Sequence, residues 1–152
     1  MPQDGKIRFK LGEIEIELRV VTLPTAGENE DVVLRILAGS GVQPLGKMNL
    51  SPDYLRSIQN LVTSPYGMVL AVGPTGSGKT PTLHAMLGKV NAVEKKVWTV
   101  EDPVEITQPG LRQMQVNPQI GLSFASAMRS FLRADPDVIM VGEMRDEETA
   151  HM

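Results

Sequence analysis

The sequence predicts an α/β protein in which a parallel sheet flanked by helices follows a small antiparallel lobe. Three observations predict it. Apolar and charged residues alternate with period two through the first third of the chain, which is the pattern of strands with one solvated face. Beyond residue 66, short continuous apolar runs alternate with stretches of helical periodicity, as in parallel sheets covered by helices. Between the first of those runs and the first of those helices lies a glycine-rich turn ending in Gly78-Lys79-Thr80.

The bulk properties narrow the function classes. At 152 residues, 41% hydrophobic and 22% charged, the chain has the composition of an ordinary globular protein, not of a disordered or fibrous one. A net charge of −3 leaves no basic excess for nucleic-acid binding through bulk electrostatics. The absence of cysteine excludes disulfides and thiolate-bound zinc and suits a reducing compartment. No apolar run approaches the roughly 20 residues that cross a bilayer, and Met1–Lys6 has no signal-peptide core. The expectation is a cytoplasmic chain without a transmembrane segment.

In chain order, Ile7 and Phe9 alternate with Lys6, Arg8 and Lys10, and Gly12 marks a turn. Ile14, Ile16, Leu18 and Val20 then alternate with Glu13, Glu15, Glu17 and Arg19. Val32–Leu37 is a third apolar run, so a three-stranded antiparallel sheet with one solvated face is predicted over residues 1–37. Three glycines and a proline between Ala38 and Gly46 favour flexible or extended backbone, and residues 38–50 read as a linker. Ser51 and Pro52 form a helix start, with Leu55, Ile58, Leu61 and Val62 at helical spacing. Met68–Val72 reads as a strand buried on both faces, and a helix bearing Leu83, Met86, Leu87 and Val90 follows. Val97–Val100 is the next buried strand, Leu111–Val116 belongs to a hairpin, and Ser123 caps an amphipathic helix carrying Phe124, Ala127, Met128, Phe131 and Leu132. Val138–Val141 is a third buried strand, and Asp146–Thr149 starts a helix with acidic residues where its dipole favours them. Three buried strands leave a poorly covered sheet edge, which implies a fragment of a longer protein or strands supplied from elsewhere.

Gly73-Pro74-Thr75-Gly76-Ser77-Gly78-Lys79-Thr80 meets every fixed position of the G-x-x-x-x-G-K-[ST] phosphate-binding loop. Its glycines let backbone N–H groups curl around phosphates, Lys79 reaches the β/γ oxygens, and the Thr80 hydroxyl is placed for a magnesium ion. Pro81 is the unusual residue: within the first helical turn it breaks no helical bond, but it removes one donor from the phosphate side and biases Thr80 away from helical angles. Carboxylates follow two of the strands, Glu101 and Asp102 with Glu105 after Val100, and Glu143 after Val141-Gly142. The carboxyl ends of parallel strands form the ligand crevice, so both sets should face the loop. His84, with no second ligand at metal spacing, reads as a packing or surface residue, and Trp98, Phe124 and Phe131 read as core.

Pro65–Met68 leading into Val72–Thr80, then Val100-Glu101-Asp102-Pro103-Val104-Glu105, then Arg129–Asp146, closely resembles the secretion ATPases of bacterial type II secretion and type IV pilus assembly, in the order of that family's Walker A, Asp box and Walker B. Arg19–Thr25 and Val32–Leu37 resemble the end of its PAS-like N-terminal lobe and favour the secretion and pilus-extension branch over the retraction branch. The resemblance implies a RecA-like P-loop core over residues 51–152, a PAS-like lobe ending at residue 37, and a homo-hexameric motor that hydrolyses ATP with Mg2+ and docks on inner-membrane platform proteins. It implies that Glu143 activates water near the magnesium ion, that Glu101 and Glu105 complete the acidic side, and that Arg19 and Arg35 reach the phosphates when the lobe closes. Pro81 replaces the family's usual threonine. By the same resemblance the His box and, where present, the tetracysteine zinc module would lie beyond Met152, and the platform-binding domain upstream, so weak activity is expected of this piece alone. Two other classes compete: a non-catalytic module in which nucleotide gates assembly, and a nucleic-acid translocase, which the charge balance and the lack of aromatic–basic interleaving disfavour.

Overall fold

The chain divides into two units, residues 1–40 and 41–152. The structure, a computed structural model, describes residues 3–12, 14–37 and 42–152; Glu13 and the first part of the expected linker, residues 38–41, lie outside them.

The first unit is an antiparallel sheet of β1 (Gln3–Leu11), β2 (Ile14–Pro24) and β3 (Glu30–Leu37), in that spatial order. The register sets Lys6 opposite Arg19, and Arg19 opposite Arg35. One solvated face was expected, but Val32, Val33, Leu34 and Ile36 of β3 are all more than half exposed. Successive strand residues point to opposite faces, so neither face of β3 is covered among the described residues.

The second unit starts with a single 3-10 turn, Leu45–Lys47, whose Leu45 is buried; residues 42–50 of the expected linker therefore belong to this unit. Helix α1 (Pro52–Val62) is capped by Ser51, which accepts from the Tyr54 N–H at 3.4 Å. Then come α2 (Lys79–Val90), β4 (Val97–Glu101), β5 (Arg112–Gln115), α3 (Phe124–Phe131), β6 (Val138–Val141) and a short α4 (Glu147–His151). Strands β5, β4 and β6 form a parallel sheet in that order. Leu87 and Val90 of α2 pack with Val97 and Met140 on one side. Val100 packs with Phe124, Ala127 and Phe131 of α3 in a second cluster. In α3, Ser123 and Ser126 form reciprocal caps, and Asp146 accepts from the Thr149 N–H at the start of α4.

Two expected elements differ. Met68–Val72 is not a strand: no described strand pairs with it, and Val72 is 92% exposed. An apolar run records a capacity for burial, but a strand exists only with a neighbour to complete its ladder. Leu111–Val116 is not a hairpin. Its central residues form β5, parallel to β4 with Trp98 opposite Arg112. The connection over residues 102–111 carries the chain back to the start of β4, and Gln113 braces it by accepting from the Gln108 N–H and donating to the Ile106 carbonyl, both at 2.8 Å.

The direction of α2 places everything that follows. Its middle residue His84 meets Glu101, the last residue of β4, whereas Leu87 and Val90 meet Val97, the first. The helix thus runs antiparallel to β4 and β6, and its N-terminus projects past their carboxyl ends.

Candidate functional site

The glycine-rich loop closes on itself before α2 begins. The Ser77 N–H donates to the Pro74 carbonyl at 3.3 Å. Lys79 folds back so that its ammonium donates to the Gly73 and Pro74 carbonyls at 2.9 and 2.8 Å, which ties the charge to the start of the loop. Gly78 precedes the helix with φ +87°, a left-handed backbone angle that disfavours side chains with a Cβ. The first helical bond runs from the Thr82 N–H to the Gly78 carbonyl at 3.0 Å, so the amide positions of Gly78, Lys79, Thr80 and Pro81 have no intrahelical partner. Three of these are N–H donors and the fourth is proline. Thr80 is helical despite the following proline, and Pro81 itself breaks no helical bond in the first turn. Loose N–H groups, the helix dipole and an ammonium together form an anion site.

The carboxylate sets divide. Gly142 donates its N–H to the Val100 carbonyl at 2.8 Å, and a Cβ there would stand 3.2 Å from that oxygen and 3.3 Å from the Glu101 Cα. That close approach joins the carboxyl ends of β4 and β6 and presents Glu143 on the same edge as the loop. Glu143 Oε2 is held by Arg145 Nε at 2.9 Å, while its Oε1 is buried with no hydrogen-bond partner among the described residues. Asp102 and Glu105 are exposed on that edge.

Glu101 turns inward instead. It is 3% exposed, its Oε1 accepts from the Thr99 hydroxyl at 2.7 Å and the Gln113 amide at 3.1 Å, and its Oε2 meets His84 Nε2 at 3.2 Å. Burial raises its pKa, and the donors from His84, Thr99 and Gln113 outweigh burial and hold it below the ordinary value. His84 is wholly buried, and Gln108 Oε1 lies 3.3 Å from its Nδ1. Burial works against its charge, and the Glu101 carboxylate overcomes that, with Gln108 and Glu105 adding, so its pKa is raised.

The loop and Glu143 therefore share one edge, and Glu101 stands behind it. Arg19 and Arg35, in the first unit, face each other directly across β2 and β3. Sequence reasoning missed His84, Gln108 and Gln113. The available signal for His84 was its place on the apolar side of α2, three residues before Leu87.

A buried, unpartnered carboxylate oxygen is a donor atom suited to a magnesium ion or its water, so Glu143 fits the ion that a phosphate loop employs, as does the Thr80 hydroxyl at the loop's end.

The family model described as "Type II/IV secretion system protein" matches residues 1–152. The chain belongs to that family. Among relatives of this secretion family, it is 46% identical over 151 residues to the type IV pilus assembly ATPase PilB of Thermus thermophilus, covering 99% of this chain and 17% of that one. It is 47% identical over 153 residues to the type II secretion system protein HxcR of Pseudomonas aeruginosa, covering 100% and 32%. The chain thus spans less than a third of the length of these two relatives. Among solved structures it resembles the pilus retraction motor PilT with bound ADP, with a TM-score of 0.80, 32% identity and coverage of 99% and 42%. It also resembles the Legionella pneumophila ATPase DotB, with a TM-score of 0.72, 25% identity and coverage of 99% and 43%. The secretion family and these neighbours bear out the expected α/β fold class.

Proposed function

We propose that this chain carries the nucleotide-handling part of an ATP-hydrolysing motor of type II secretion or type IV pilus assembly, hexameric in the intact protein. The observation that carries the reading is the direction of α2, which puts the Gly73–Thr80 loop on the edge where Glu143 emerges. Lys79 and the free N–H groups of the α2 N-terminus bind the phosphates, and Glu143 polarises the attacking water. Thr80 and Glu143 would hold Mg2+, which when bound neutralises charge on the β/γ oxygens. Glu105 supplies negative potential on the same edge, and Glu101 acts from beneath it.

In this reading residues 1–37 are the end of a PAS-like lobe, and the ATPase domain expected over residues 51–152 also takes in residues 42–50, which belong to the same unit. Arg19 and Arg35 are anion-binding residues of that lobe. Like charges directly opposite across a ladder repel, so an anion shared by the two arginines would relieve a cost already present in the sheet. Further copies of the chain and the inner-membrane secretion or pilus platform are the partners, which would place the motor at the cytoplasmic side of that membrane.

Pro81 favours a second reading, in which nucleotide binds and orders an assembly interface without turnover, because one of the four helix-start donors is missing. The test is binding of a fluorescent ATP analogue with and without Mg2+, alongside phosphate release, for the wild type and Lys79→Ala. Magnesium-dependent binding and release, both lost in Lys79→Ala, support the motor; binding without release supports the gating module. Binding that survives Lys79→Ala removes both.

A further inference from the structure

Glu101 is satisfied by donors from three elements: Thr99 of β4, Gln113 of β5 and His84 of α2. His84 alone belongs to the helix that opens with the phosphate loop. It lies five residues past Lys79, about 7.5 Å along the axis at 1.5 Å per residue. The backbone of Glu101 in turn forms the seat of Gly142, whose position sets Glu143. A side chain that fixes Glu101 to α2 therefore fixes the Glu143 edge relative to the loop.

We propose that His84 is a positioning residue of the nucleotide site, clamping Glu101 so that the carboxyl ends of β4 and β6 keep their placement against the N-terminus of α2. The proposal rests on the nucleotide reading above. Both ring nitrogens face acceptors, Glu101 Oε2 and Gln108 Oε1, so the ring that makes both bonds carries two protons and a positive charge. The neutral ring gives up one bond, and the clamp loses its charge-assisted component. The charged groups acting on the ring are Glu101 at the end of β4 and Glu105 in the following loop, both acidic. Each favours the charged ring and so favours the engaged clamp.

The experiment measures affinity for a fluorescent ATP analogue from pH 6 to pH 9 in the wild type, His84→Gln and His84→Ala, with the His84 ring followed by NMR in the wild type and Glu101→Gln. Gln keeps a donor at the Nε2 position but does not titrate. Subtracting the His84→Gln profile removes the nucleotide's own ionisation. Wild-type affinity is expected to fall about fivefold or more as the ring deprotonates, the scale of a typical coupling between sites. That step should be absent from His84→Gln, and Glu101→Gln should lower the ring's titration midpoint. Superimposable profiles for the wild type and His84→Gln overturn the proposal, as does a ring that titrates at or below the value of free imidazole. If no variant binds nucleotide, the nucleotide reading itself fails, and the shift in Glu101→Gln still decides whether the clamp forms. His84→Ala is informative only if its thermal melt is cooperative; His84→Gln carries the test otherwise.

Discussion

Replacing His84 with alanine leaves a carboxylate in the interior without its charged partner, and the structure sets the scale of the loss. Breaking a buried ion pair by removing one member costs about 3–5 kcal/mol. The Thr99 hydroxyl and Gln113 amide still satisfy Glu101 Oε1, so the expected cost lies at the lower end, about 3 kcal/mol. At about 4 °C per kcal/mol for a unit of this size, the melting temperature should fall by about 12 °C. His84→Gln retains a neutral donor and should lose only about 1–1.5 kcal/mol, the difference between a charged and a neutral hydrogen bond. Trp98, the single tryptophan, lies in β4 three residues before Glu101 and packs 5.2 Å from the Phe131 ring, so urea unfolding followed by its fluorescence reports on this unit. Equal losses for Ala and Gln, or an alanine cost below about 1 kcal/mol, would refute the view that a charged pair holds this corner.

The pair also predicts a stability window. The raised pKa of His84 gives stability that is complete below its unfolded value near 6.5 and is lost as pH rises through the higher folded value. The lowered pKa of Glu101 gives stability present above 4.5 and lost as pH falls through the lower folded value. Melting temperature should therefore be highest between the two unfolded values, and His84→Gln should abolish the decline on the alkaline side. Pro81→Thr restores a fourth donor to the α2 N-terminus and should tighten nucleotide binding by about 1.5–3 kcal/mol; identical titration curves would show that this amide position does not meet the phosphates. Gly142→Ala forces a methyl against the Val100 carbonyl and the Glu101 backbone, neither of which can rotate away. It should destabilise by about 1–3 kcal/mol and reduce ATP turnover more than ATP binding; equal reductions would mean that the β6 end does not orient Glu143.

Much of the fold was legible because local chemistry specifies it. Ser51-Pro52, Ser123 and Asp146 begin helices where capping predicts, and the apolar runs at Val97 and Val138 are strands. The loop was legible because each of its fixed residues has a stereochemical task. Partners distant in sequence were not legible. Met68–Val72 has strand composition without a described neighbour, and composition carries no record of pairing. The direction of β5 depends on the path of residues 102–111, which Gln113 and Gln108 brace from positions that periodicity does not mark. At Glu101 the residue type was read correctly as a carboxylate following a strand. Its inward turn follows from His84 standing across from it on another element, and only packing reveals that.

The most direct measurement of the central claim is Glu143→Gln, assayed for ATP-analogue affinity and for phosphate release under identical magnesium concentrations. If the carboxylate at the end of β6 acts on the triphosphate held at the start of α2, affinity should stay within about twofold while release falls by about 10²–10⁴. Unchanged release, or affinity and release lost together, would contradict the account.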